Sequence, residues 1–234
     1  MFHGRPFLRK SFKSCTHTRS FVRSKGSTRN NLASNEHSSL STFEAYASRT
    51  NLSRSSTVYR GTRYEYLVIE SLSRFFLDLT RTGGRSDLGI DLLGTWSLPC
   101  FPHPLRVLVS CKSNAKIAQA NWVRELEGTF SGDPRGTGRS GTVGLLAARG
   151  EATQGVREAV ARSALPLGFV NVSLERVVMQ MVWNQRVADM GLERVVPKMW
   201  FGDGEEREEG GRIVLMRNEE VLDRVYGREK TDTA

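Results

Sequence analysis

The sequence predicts an α/β fold, an α+β sandwich in which helices flank a mixed central sheet. Short segments of alternating or continuous apolar residues, which are typical of strands, recur along the chain. Segments with apolar residues at three- and four-residue steps, which are typical of helices, lie between them. The resulting order (helix, strand, strand, helix, strand, helix, strand, helix) favours a sheet with both parallel and antiparallel neighbours.

The first predicted helix covers 58–79 and is followed by a glycine pair at 83–84, which indicates a stop and a turn. A strand is predicted over 88–95. This strand is unusual, because Asp91 lies between two apolar residues and an unpaired buried carboxylate is costly. Either Asp91 sits at a solvated edge of the strand or a cationic group lies beside it.

The strand Leu105–Lys112 alternates cleanly between an apolar and a mixed face. A helix is predicted over 116–130, and the apolar run Thr142–Ala148 predicts a buried strand. The remaining predicted elements are a helix (151–164), a strand (Leu167–Val172), a long helix (173–190) capped by Gly191, a short strand (212–216) and a short helix (219–226).

The pattern divides the chain into four segments. They are a leader and disordered linker (1–42), a further linker (43–57), the folded domain (58–190) and a C-terminal extension with a short strand and a short helix (191–234).

The net charge of +9 comes almost entirely from the leader. Residues 1–35 contain eight Lys and Arg and no Asp or Glu, whereas the other 199 residues carry 26 basic and 25 acidic groups. Such a basic, Ser-rich leader is typical of a mitochondrial transit peptide and predicts a location in the mitochondrial matrix. The alternative is a disordered basic tail that binds nucleic acid.

Other composition features narrow the class of protein. No apolar run approaches the roughly 18 residues of a membrane helix, so no membrane span is predicted. The three cysteines form no CxxC pair, which favours a reducing compartment and no zinc site.

Two residues of neighbouring predicted strands form a candidate constellation. A hairpin-like connection would place Asp91 beside the end of the next strand, where Ser110 and Lys112 share a face. A carboxylate that binds a divalent cation, with a lysine beside it, suits phosphodiester hydrolysis, because the metal neutralises the phosphate and acidifies water. The lysine would position the water and steady the developing charge.

Several short motifs of the sequence resemble those of known families. Arg60-Gly61 with Tyr64-Glu65, then GGRSDLGIDLLG, then VLVSCKS are similar to the restriction-endonuclease-like PD-(D/E)xK superfamily, and especially to its Mrr-type branch. VRELEGTF, TVGLLAA and SALPLGF, further along, resemble the fungal mitochondrial "required for respiratory growth protein 7" family. The resemblance runs from about residue 58 to 172 and implies a restriction-endonuclease-like core.

The resemblance also implies roles. Asp91 matches a metal-binding aspartate, Lys112 the family's lysine and Glu65 an assisting helix glutamate. Mg²⁺ is the implied cofactor, and the backbone carbonyl of Cys111 and, more weakly, Asp87 would contribute to its site. The family normally has Glu, Asp or Gln where this chain has Ser110, a poor ligand for a hard cation. Weaker candidates for binding DNA or RNA are Arg60, Arg85, Ser110, Gln119 and Arg124.

Ordinary structural roles are alternatives for three of these residues. Glu65 could be a solvated helix glutamate, Asp87 a turn residue before the strand, and Lys112 a solvated strand terminus. Asp91 is the hardest to explain in this way, because both of its neighbours are apolar.

Three functions are compatible with the sequence. The first is a mitochondrial Mg²⁺-dependent nuclease that supports maintenance of the mitochondrial genome and respiratory growth. The second is a nucleic-acid-binding protein that keeps the nuclease fold without turnover, which the serine at position 110 motivates. The third is a mitochondrial assembly or interaction factor that uses the predicted helix 173–190 as its contact surface.

Overall fold

The computed structural model describes residues 37–82, 89–99, 101–113, 117–132, 141–201 and 211–222. The leader before residue 37, Arg85, Asp87 and the second half of the predicted helix 219–226 lie outside these ranges. In the described part, the chain forms a mixed α/β structure with a six-stranded mixed sheet flanked by helices, as predicted.

The helices and strands follow one another in chain order. The helices are α1 (Leu40–Arg49), α2 (Thr57–Ser73), α3 (Ala120–Gly132), α4 (Gln154–Arg162) and the short α5 (Gln185–Val187), which runs into a π-helical turn (Ala188–Leu192). The large sheet consists of β1 (Leu77–Arg81), β2 (Leu92–Trp96), β3 (Leu105–Lys112), β4 (Thr142–Ala148), β5 (Leu167–Val172) and β6 (Val178–Trp183). A second sheet consists of β7 (Val195–Trp200), β8 (Arg212–Arg217) and β9 (Glu220–Leu222).

The large sheet has the strand order β1-β2-β3-β4-β5-β6. The β3–β4 and β4–β5 pairs are parallel and the other three pairs are antiparallel. Because β2 and β3 are antiparallel, the start of β2 lies beside the end of β3. The parallel pair brings the end of β4 to that same edge.

The two faces of this sheet bury different sets of apolar side chains. Alternate residues of the strands, such as Val107 and Val109 of β3, pack with α2 and with the small sheet in one core. The intervening residues, such as Leu108, pack with α3 and α4 in a second core. Helix α2 and helices α3 and α4 therefore cover opposite faces.

Several predicted boundaries differ from the structure. The helix predicted over 58–79 ends at Ser73, and its last part forms β1. The reason lies in a tight turn: Phe76 has φ of +66°, a left-handed conformation that breaks the helix although the apolar spacing continues. The strand predicted over 88–95 is observed only over Leu92–Trp96, so Asp91 immediately precedes it.

The prediction of a long helix over 173–190 was wrong. This stretch makes a turn, strand β6 and the short α5. The turn is built by Ser173, whose backbone N–H donates to Val177 O at 2.9 Å, with Arg176 at a positive φ of +67°. The interaction-factor hypothesis therefore loses the helix on which it depended.

Two elements lie where no regular structure was predicted. Helix α1 (Leu40–Arg49) lies within the segments predicted as linkers, and Ser39 caps its N-terminus. Its side chains Leu40, Phe43 and Ala47 pack with Tyr59, Tyr66 and Leu67 of α2. Strand β7 is the second unexpected element. The predicted C-terminal helix begins instead with strand β9.

Candidate functional site

Asp91 is held at the start of β2 by both neighbouring strands. Its backbone N–H donates to Val109 O at 2.9 Å, and its carbonyl accepts from the backbone N–H of Thr82 at 2.9 Å. Its carboxylate Oδ2 accepts from the backbone N–H of Cys111 at 2.5 Å. The half-buried carboxylate is thus fixed to the end of β3, which explains how this position tolerates an aspartate.

Lys112 ends β3 and its side chain extends towards α3. Its Nζ donates to Glu125 Oε2 at 2.8 Å and lies 6.0 Å from the ring centroid of Trp122. Glu125 Oε1 in turn accepts from the side-chain amide of Asn121 at 3.2 Å. Sequence reasoning missed Glu125, whose helical position gives no signal of its own.

Glu65 lies on α2, across the sheet from α3. Its carboxylate Oε2 accepts from Nε of Arg81 on β1, and a second nitrogen of that guanidinium donates to Thr62 Oγ1 at 3.4 Å. The Glu65 side chain is 14% exposed, so this is a largely buried ion pair between α2 and β1. The arrangement gives Glu65 a neutralising partner that the sequence did not indicate.

The pKa of the Cys111 thiol depends on burial and on these nearby charges. Burial raises its pKa well above the ordinary value, the Asp91 and Glu65 carboxylates raise the pKa further, and the ammonium of Lys112 lowers it. Asp91, Glu65 and Lys112 therefore all lie close enough to Cys111 for their charges to affect its thiol. The thiol stays neutral, so Cys111 offers its backbone carbonyl rather than a thiolate ligand.

The remaining predicted residues are placed less centrally. Ser110 is only 6% exposed, beneath the surface of the sheet edge. Arg60 is exposed on α2, Gln119 is exposed just before α3, and Arg124 is exposed on α3. Thus only Arg60 lies beside the cleft described next.

A cleft of about 440 Å³ opens beside the ends of β3 and β4. Its wall includes Ser113, which follows Lys112, and Arg149, whose backbone N–H donates to Lys112 O at 3.3 Å. The rest of the lining is Glu44, Arg54, Tyr59, Arg60, Arg63, Tyr64 and Leu174. We call this the arginine cleft. Arg149 could have been anticipated, because it directly follows a strand parallel to β3.

The described residues contain no group of three or more His, Cys, Asp or Glu side chains placed to hold a metal ion. The candidate donors at the edge are the Asp91 carboxylate and the Cys111 carbonyl. Two such oxygens suit Mg²⁺, which keeps several waters and often binds through one or two carboxylates plus substrate phosphates. The donors at this edge are thus one carboxylate and one carbonyl, both oxygens of the kind that Mg²⁺ accepts.

Fold and site together define a mixed α/β protein with a carboxylate, a lysine and an arginine-lined cleft at one sheet edge. The model of the family "Required for respiratory growth protein 7" matches residues 56–103 and 102–198. The chain therefore belongs to this family, as its motifs predicted.

Two curated relatives are named mitochondrial. An uncharacterized mitochondrial protein of Schizosaccharomyces pombe is 34% identical over 154 residues, which cover 64% of this chain and 60% of that protein. Required for respiratory growth protein 7, mitochondrial, of Saccharomyces cerevisiae is 25% identical over 175 residues, which cover 56% of this chain and 72% of the relative. No solved structure matches the chain significantly. No helix within the described ranges has the length and apolar character needed to cross a membrane.

Proposed function

We propose that this protein acts on nucleic acid in the mitochondrial matrix, with a PD-(D/E)xK fold and Mg²⁺-dependent hydrolysis of phosphodiester bonds. In this proposal it supports maintenance of the mitochondrial genome and thereby respiratory growth. The observation that carries the proposal is the hydrogen bond from the Cys111 amide to the Asp91 carboxylate, which fixes that carboxylate next to Lys112.

The topology and the cleft support the proposal. Helix α2 is followed by Asp91 at the start of β2 and then by β3, which ends in Cys-Lys; this order is compatible with the proposed superfamily. The four arginines of the arginine cleft provide the local positive charge that the nearly neutral folded part requires to bind a polyanion.

The proposal gives each of these residues a role. Asp91 and the Cys111 carbonyl would hold Mg²⁺, which neutralises a phosphate and lowers the pKa of bound water. Lys112 stabilises the charge that develops on the phosphate, and the hydrogen bond to Glu125 orients its ammonium group. Glu65 supports the geometry of the edge through its ion pair with Arg81.

A cleavage assay tests the proposal. The full chain is incubated with nicked, branched and single-stranded DNA and with RNA, with Mg²⁺, Mn²⁺ or EDTA. We expect metal-dependent cleavage that Asp91→Ala lowers at least about 100-fold, because loss of a group that only supports a metal ligand already costs about 10–100-fold and Asp91 is proposed as a direct ligand. Asp78→Ala, at an exposed position on β1, is the control and keeps the rate. Equal rates for wild type and Asp91→Ala, or no cleavage of any substrate, would refute hydrolysis at this edge.

A second candidate is a nucleic-acid-binding protein without turnover. The buried serine at position 110, where the superfamily has a carboxylate or an amide, favours it. In that case the wild type binds DNA or RNA with an affinity that falls steeply with salt but cuts neither. Gain of cleavage in a folded Ser110→Glu variant would support this candidate, and absence of salt-dependent binding would exclude both candidates.

A further inference from the structure

The arginine cleft concentrates positive charge in one concave place. It is lined by four arginines and one acid, Glu44, which gives a local charge of +3. Glu44 Oε1 lies 3.5 Å from Nε of Arg63. Within the described residues Arg54, Arg60 and Arg149 form no ion pair, and all three are exposed.

The charge of the cleft exceeds what one internal phosphate of a nucleic acid supplies. A phosphodiester carries one negative charge, whereas a terminal phosphomonoester carries between about 1.5 and 2 at neutral pH. A terminal phosphate and the adjacent diester together carry nearly three charges, which balances the cleft. A groove that follows the middle of a strand distributes its cations along the backbone instead.

The volume and the walls fit the same ligand. About 440 Å³ lies in the range of small-ligand pockets and accommodates a terminal nucleotide. Guanidinium groups bind phosphate oxygens in bidentate geometry, which suits an end with three terminal oxygens. The cleft also adjoins the proposed reaction edge, since Ser113 follows Lys112 and Arg149 is bonded to the backbone of Lys112.

We propose that the arginine cleft binds the terminal phosphate of a DNA or RNA strand, so that the protein recognises strand ends. This inference rests on the proposed function, because it names the part of the nucleic acid that the site accepts. Arg60 and Arg149, which approach the cleft from α2 and from the end of β4, are the residues assigned to that phosphate.

Fluorescence anisotropy with the full chain tests the inference. Three internally labelled oligonucleotides of the same sequence serve as probes: one has a 5′-phosphate, one has a 3′-phosphate and one has neither. An unlabelled circular strand serves as competitor. We expect one phosphorylated end to bind about tenfold more tightly than the unphosphorylated strand, as a charge-assisted hydrogen bond provides. The double variant Arg60→Ala/Arg149→Ala loses this preference.

The control variant Arg162→Ala/Arg186→Ala removes the same charge from exposed positions outside the cleft and keeps the preference. Equal affinity for phosphorylated and unphosphorylated strands would overturn the inference, even if all strands bind and the proposed function survives. Competition by inorganic phosphate or a nucleoside monophosphate at the concentrations of the oligonucleotide would also overturn it, because the cleft would then be a small-ligand site. No binding of any strand would overturn both the inference and the proposed function.

Discussion

Replacement of Asp91 separates its structural role from its chemical role. Asp91→Ala removes the acceptor of the Cys111 N–H, which lies in the half-buried edge of the sheet. A buried donor left without an acceptor costs about 1–3 kcal/mol. Asp91→Asn retains a side-chain oxygen at the same position and removes only the charge. We therefore expect Asp91→Ala to lower the free energy of unfolding by about 2 kcal/mol and Asp91→Asn by less than about 1 kcal/mol.

Urea denaturation and thermal melting measure both variants beside the exposed control Asp78→Ala. For a domain of about 150–250 residues, 2 kcal/mol corresponds to a Tm decrease of about 4–8 °C. Both Asp91 variants lose nuclease activity, since neither supplies a carboxylate. Asp91→Ala as stable as the wild type would refute the role of the hydrogen bond. Asp91→Asn that cuts at the wild-type rate would refute the role of the charge.

Three further changes test the fold and its electrostatics. Gly94→Ala places a Cβ within 1.9 Å of the backbone oxygen of Asp78, so we expect about 3 kcal/mol or more of destabilisation, or no folded protein, by circular dichroism. In β6, Met181→Ala empties a core position that is 5% exposed and costs about 2–5 kcal/mol, whereas Met179→Ala, at 50% exposure, costs less than about 0.5 kcal/mol. Similar urea midpoints for the two Met variants would contradict the assignment of β6 as a strand in which Met181 is buried and Met179 is exposed. Because the folded state raises the pKa of Cys111, the folded protein keeps the proton at pH values where the unfolded chain loses it. The free energy of unfolding therefore falls above pH about 8.5, by up to about 1.4 kcal/mol per pH unit, and Cys111→Ala lacks this contribution. If the free energies of unfolding of the wild type and of Cys111→Ala change in parallel between pH 8 and 10.5, the raised pKa of Cys111 is refuted.

The strands of the sheet centre were predictable from the sequence. Leu105–Lys112, Thr142–Ala148 and Leu167–Val172 have the predicted bounds, because strands buried in the middle of a sheet leave alternating or continuous apolar runs. The neighbouring helices α3 and α4 were also predicted, although they start later than expected.

The errors arose where tertiary packing or unusual backbone angles decide the structure. The turns at Phe76 and Arg176 use left-handed conformations without glycine, so apolar spacing continued through them as if each helix were unbroken. Helix α1 was not predicted because its flanks are rich in serine. Its signal was nevertheless present, since Ser39 is an N-cap and Leu40 and Phe43 follow at helical spacing. Strand β7 contains Pro197, which is tolerated there because β7 is an edge strand.

The site was predictable in part. The pairing of β2 with β3 followed from chain order, and it brought Asp91 to the end of the strand that carries Lys112. The partners of these residues could not be read from the sequence. Glu125 and Arg81 reach the edge from α3 and β1, and the arginine cleft collects residues from separate parts of the chain. Such contacts depend on how the elements pack, which local patterns do not specify.

The location of Mn²⁺ in crystals of the protein with an oligonucleotide is the most direct test of the central claim. Anomalous scattering identifies the ion without assumptions about turnover. We expect Mn²⁺ bound to the Asp91 carboxylate and the Cys111 carbonyl, next to a phosphate of the strand, and its loss in Asp91→Asn. Crystals with bound oligonucleotide and no Mn²⁺ at Asp91, or with the same Mn²⁺ site in Asp91→Asn, would contradict a metal-dependent nuclease at this edge.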